Sequence, residues 1–256
     1  MFYIRTLFAS SKLLVMAAPD PEPPWWTPRK APTPRRALSR EAIVATALDV
    51  LRAEGMDAVS MRRVAADLGT GPASLYAHVT GKDELLDLLY DEVVGTIPLP
   101  VPDPARWQEQ ATQLWSDCRD ALARAGDIAR YSLGRVPMGP NALRLSELTM
   151  TLLRLGGVPD QAVAWAVDVV GMFVTANAVE DAVTADLARQ GRDPQEYYDQ
   201  VHRYFAGLPA DRFPVTAMLV PQLMAGTGDE RFRFGLDLLV GGLAALATAT
   251  PRPAAP

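Results

Sequence analysis

Apolar side chains between Arg40 and Glu54 fall at Ile43, Ala47, Leu48 and Leu51, the three-and-four spacing of an amphipathic helix. Ser39 precedes this run as an N-cap and Gly55 follows it as a stop, with Val59 placed to staple the turn into the next helix. Ser60 caps a second, shorter helix over Met61 to Leu68, ended by Gly69. Pro72 fits a helix N1 position, and Leu75 and Val79 lie four apart, so a third short helix begins almost at once. Two short helices joined by a Gly-containing turn form a helix-turn-helix, whose second member can enter a DNA major groove. From Thr80 or Gly81 a fourth helix turns Leu85, Leu86, Leu89 and Val93 inward and its acids to water.

The alternating prolines of residues 97–104 bar a helix and mark a linker. Beyond it, helical periodicity covers 104–125, a short stretch around 127–133, 140–155, 160–190 and 229–248, and no strand pattern appears. The run from Asp160 is apolar on most faces, so it must be covered on several sides. Residues 192–228 read as less regular, cut into short pieces by Pro194, Pro209, Pro214 and Pro221. Gly235, Gly241, Gly242 and Ala245 weaken the last helix but let another helix come close. The expected fold class is all-α.

The ordered string Leu38-Ser-Arg-Glu41, Ala53 to Arg62, Leu68-Gly69, Leu75-Tyr-Ala-His-Val79 and Lys82-Asp-Glu-Leu-Leu-Asp87 resembles the TetR family of bacterial transcriptional regulators. The stretch from Trp107 to Leu246 is similar, more loosely, to the tetracycline-repressor-like C-terminal domain. The resemblance implies a DNA-binding domain linked by its fourth helix to a larger helical domain that dimerises and binds a small molecule. It also implies that Arg62, Pro72, Ala73, Ser74, Tyr76, Ala77, His78 and Lys82 face DNA. Small Gly71 and Ala77 depart from many relatives and leave fewer side chains to read bases. One such domain makes too few contacts for specificity, so a homodimer on a pseudo-palindromic operator is expected, with the helices from Asp160 and Asp229 as its interface.

Charge refines this picture. The 256-residue chain carries a net charge of −5, and residues 39–90 hold five basic against eight acidic side chains. Phosphate attraction must therefore come from a few placed groups, helix N-termini, or the basic arm formed by Arg29, Lys30, Arg35 and Arg36 behind Trp25 and Trp26. Residues 1–37 read as a proline-rich, disordered extension, in which Met16 is an alternative start and residues 1–15 lack an apolar run long enough for export. The expected domains are 38–97 for DNA binding, 98–250 for effector binding and dimerisation, and a tail at 251–256. A lone Cys118 and two distant histidines, His78 and His202, give no disulfide and no metal-ligand spacing, which fits a cytoplasmic protein without cofactor or metal.

A small hydrophobic or amphipathic effector would be gathered by Trp115, Tyr131, Met138, Trp165, Met172, Phe173, His202 and Phe205, with Asn177 and Asp181 supplying polar contacts. Glu180 and Asp181 suit a cationic ligand, or simply face water. No nucleophile–base pair, metal cluster or phosphate-binding glycine loop points to an enzyme. The alternative to a ligand-released repressor is an activator or architectural DNA binder without an effector.

Overall fold

The computed structural model describes residues 38–249. The expectations for residues 1–37, including the basic arm, and for the tail lie outside the described residues. Among the described residues the elements are helices, with no strand. Helices α1 (Arg40–Glu54), α2 (Met61–Asp67) and α3 (Pro72–Leu75) form the first cluster, and α4 (Lys82–Val94) leads away from it. The larger body contains α5 (Trp107–Arg124), α6 (Ile128–Ser132), α7 (Pro140–Leu155), α8 (Asp160–Arg189), α9 (Pro194–Ala206), α10 (Pro214–Met224) and α11 (Gly228–Ala249).

Local chemistry sets the first boundaries. Ser39 Oγ accepts from the backbone N–H of Ala42 at 3.2 Å, and Ser60 Oγ from that of Arg63 at 3.2 Å, so both serines cap as their positions predict. Gly69 takes φ +63°, which lets Thr70 N–H bond Ala65 O at 2.9 Å and Gly69 N–H bond Ala66 O at 3.0 Å. That double closure stops α2 and turns the chain into α3. Leu75 at 0% and Val79 at 1% exposure then pin α3 onto the core.

The proline-rich segment Ile97 to Asp103 stays irregular, and α5 is entered through a 3-10 turn at Pro104–Arg106 capped by Asp103. Residues 192–228 are more regular than their prolines suggest. Pro194 and Pro214 occupy the first turns of α9 and α10, where a missing N–H costs nothing, so they begin helices rather than break them. Pro221 lies inside α10.

One continuous apolar core runs from Ile43 and Leu51 of α1 through Leu85 and Leu89 of α4 to Leu114, Leu152 and Leu236. Helix α8 lies against α5, α6, α7 and α11. The described part of α8 reaches a mean hydropathy of 1.7, long and apolar enough to cross a bilayer, yet here it is one member of the helical body. Gly235 of α11 sits where any Cβ would overlap the Phe173 ring of α8, so the missing side chain sets how closely these two helices pack. Gly241 and Gly242 meet nothing within 4 Å.

Candidate functional site

The surface of α3 is built from what its two buried anchors leave outside. Pro72, Ala73, Ser74 and Ala77 are exposed, Tyr76 is 55% exposed, and His78 is half-buried. Arg62 and Lys82, at the N-terminal ends of α2 and α4, are exposed on either side in the chain. Thr70 Oγ1 donates to Ser74 Oγ at 3.1 Å, bridging the turn to α3.

Two other cations of this region, Arg63 and Arg40, are already engaged. Arg63 bonds Glu54 at 2.9 Å and Asp67 at 3.1 Å, and these acids hold its guanidinium above its usual range. Arg40 of α1 pairs with Glu84 of α4. Glu84 also accepts from Thr80 N–H at 2.6 Å and Thr80 Oγ1 at 2.7 Å, and those bonds lower its pKa. Among the described residues Arg62 and Lys82 are in no ion pair. Arg62 and Lys82 thus flank the α3 segment, with aromatic Tyr76 between them in the chain. Such a surface suits phosphate contacts from the ends and base contacts from the middle.

The residues expected to hold an effector divide into separate groups. Trp115 is buried on α5, one turn before Arg119. Asn177 donates to the Phe173 carbonyl at 2.8 Å, and the Phe173 ring stacks on Phe232 of α11 at 5.4 Å between centroids. Asp181 is committed to Arg119, so it is half of an internal ion pair rather than a free anion for a cationic ligand. Tyr131 on α6 donates to the Asp83 carbonyl at 3.0 Å, with the Arg135 guanidinium 4.3 Å over its ring. Met138, Trp165 and Met172 are exposed at 79%, 68% and 55%, and His202 is exposed on α9 beside half-buried Phe205. Two open grooves border α7 and α11. The first, about 620 Å³, is lined by Leu99, Pro100, Leu143 and Met150 among others, and the second, about 450 Å³, by Gln108, Thr112, Arg233 and Asp237 among others. Neither is lined by the expected effector residues.

Sequence reasoning missed Arg119, Asp229, Phe232, Asp91, Asn141 and Asp127. Arg119 donates to Asp181 at 2.6 and 2.9 Å and to Asp229 at 2.7 Å, tying α5 to α8 and α11. Asp127 accepts from Met56 N–H at 2.8 Å, tying the start of α6 to the turn after α1. These partners lie tens of residues apart, and no local spacing announces them.

Residues 43–89 match the family described as bacterial regulatory proteins, tetR family, and residues 99–247 match the tetracyclin repressor-like, C-terminal domain. The chain belongs to the TetR family. It is a DNA-binding transcriptional regulator, and its helix-turn-helix is the family's own. HTH-type transcriptional repressor DrrR1 of Streptomyces coeruleorubidus is 32% identical over 86% of this chain and 81% of its own. Tetracycline repressor protein class C of Escherichia coli is 29% identical over 80% of this chain and 90% of its own. Apo ActR from Streptomyces coelicolor superposes with a TM-score of 0.76 at 42% identity, covering 83% of this chain and 97% of that one. ActR in complex with actinorhodin gives 0.75 at 43% identity, covering 82% and 96%.

Proposed function

We propose that this TetR-family regulator is a cytoplasmic repressor. It binds a pseudo-palindromic operator as a homodimer through residues 38–97 and is released when a hydrophobic or amphipathic molecule enters the helical body of residues 98–250. The observation that carries the reading is the exposed, uncommitted set of Arg62, Tyr76 and Lys82 around a short α3 anchored by Leu75 and Val79. Pro72, Ala73, Ser74, Ala77 and His78 complete the DNA face, with the small residues allowing the backbone close to base edges. The dimer reading is supported by Trp165, Val169 and Met172 of α8 and Phe234 and Leu238 of α11, all exposed at 45% or more in the single chain.

ActR has been solved both empty and with actinorhodin, so a molecule of that chemical kind is the first effector to try. The stacked rings of Phe173 and Phe232 suit a flat apolar body. Genome-wide footprinting identifies the operator, and a gel shift with and without actinorhodin tests release. A purified wild-type protein that protects no genomic site contradicts the repressor reading. A protein that binds its operator but ignores actinorhodin and other polycyclic compounds favours the activator or architectural role.

A further inference from the structure

Gly95 at the end of α4 and Gly139 just before α7 have φ of −62° and −67°, conformations open to any residue. Backbone freedom therefore does not explain them. A Cβ on Gly95 would lie 2.6 Å from Asn141 Nδ2, and one on Gly139 would fall inside the Asp91 carboxyl group. Each glycine makes room for a polar side chain from the facing helix.

In that space the Asp91 carboxylate, 8% exposed, accepts from Asn141 N–H at 3.0 Å, Ala142 N–H at 3.0 Å and Asn141 Nδ2 at 3.1 Å. The same Asn141 amide donates to the Asp91 carbonyl at 3.0 Å. A carboxylate from α4 thus caps α7, with the helix dipole and charge-assisted bonds acting together. Helix α7 in turn packs on α5 and α8, so the joint fastens α4 to the body of the larger helical cluster. Nearer its start, α4 also meets α6, where Tyr131 donates to the Asp83 carbonyl at 3.0 Å.

Lys82 begins α4, and Asp91 sits about 13 Å along it. A rotation of about 10° at Asp91 therefore moves the DNA-facing end by about 2 Å. We propose that Asp91 is a positioning residue for DNA binding: seated on the N-terminus of α7 between Gly95 and Gly139, it is the pivot that fixes the direction of α4. Asp91 itself touches no DNA. The inference rests on the DNA-reading role given to α3.

Nitroxide labels at Ala66→Cys on α2 and Asp120→Cys on α5, both exposed, report the distance across this joint. Cys118 is buried and does not compete for label. Diluting labelled into unlabelled protein confines the distance to one chain, whatever its oligomeric state. Wild type is expected to give one narrow distance. Asn141→Ala keeps the carboxylate and the Ala142 cap, so it is the mild variant, and Asp91→Asn is the stronger one. In either folded variant the distance distribution broadens or shifts by about 2 Å, and operator affinity falls about tenfold. If Asp91→Asn does not fold, Asn141→Ala decides. A folded variant with the wild-type distance distribution overturns the proposal, and so does a moved distance with unchanged operator affinity. A wild-type protein that binds no operator sinks the role of α3 instead, while the distances still read the joint.

Discussion

Arg119 and Asp181 meet through two parallel bonds, Nε to Oδ2 at 2.6 Å and Nη2 to Oδ1 at 2.9 Å, so a buried cation of α5 lies flat against a carboxylate of α8. The hydrogen bonds to Asp181 are the main reason the guanidinium is held above its usual range. Asp229 takes the third bond, but its side chain is 86% exposed against 32% for Asp181. The two acids are therefore unequal. Asp181→Ala leaves the guanidinium with Asp229 alone where water reaches it poorly and should cost about 2–3 kcal/mol, below the fully buried case because Asp181 is partly wet. Asp229→Ala should cost about 0–1 kcal/mol. Urea unfolding of both variants checks the ranking, and equal losses contradict it.

Tyr76 is more than half exposed beside buried Leu75, so Tyr76→Ala removes a reading group and leaves the anchor in place. Operator affinity is expected to fall about tenfold or more with an unchanged melting temperature. Lys82→Ala should weaken binding across sequences and flatten the slope of log affinity against log salt by about one unit. A gel shift at several salt concentrations separates the two effects, and a sequence-dependent loss for Lys82→Ala argues against a phosphate contact.

Burial pushes the Cys118 thiol up to about 12, with the Asp117 charge adding to the effect. In the unfolded chain a thiol ionises near about 8.5. The folded state keeps this proton over a range where the unfolded state has lost it, so the associated stability is full below about pH 8.5 and is lost as pH rises toward 12. Wild type should lose stability between pH 8 and pH 10.5 more steeply than Cys118→Ala. Thermal melts of both proteins across that range provide the comparison, and parallel slopes refute it. The native thiol should also resist a disulfide-exchange reagent until the protein unfolds.

Trp165 and Leu238 expose 68% and 61% of their surface on the two helices proposed for the dimer interface. Trp165→Glu or Leu238→Glu places a charge on a face that a second copy would desolvate. Sedimentation equilibrium is expected to show monomer with native helical content. A dimer that survives both changes locates the interface elsewhere.

The first three helices were legible because their boundaries depend on neighbours a few positions away: Ser39 bonds Ala42, Ser60 bonds Arg63, and Gly69 closes α2 on Ala66. Long-range pairing was not legible. Asp91 finds Asn141 fifty positions along the chain, and Arg119 finds Asp181 and Asp229 at separations of 62 and 110. Prolines at 194 and 214 read as interruptions because composition does not distinguish a helix's first turn from its middle. Aromatic residues posed the same difficulty. Trp115 and Trp165 are alike in type and helical setting, yet one is 3% exposed and the other 68%, because only the packing of neighbouring helices decides which face is covered.

Helix α3 is four residues long and owes its position to Leu75 and Val79, while Ala73, Ser74, Tyr76 and Ala77 contribute little to the buried core. A segment that short does not hold a helix by its own propensity, so its shape comes from the sockets beneath it. Substitutions on its outward side can therefore retarget the regulator to a new operator at little cost to folding, and the lineage is free to rewire which genes it controls without rebuilding the protein.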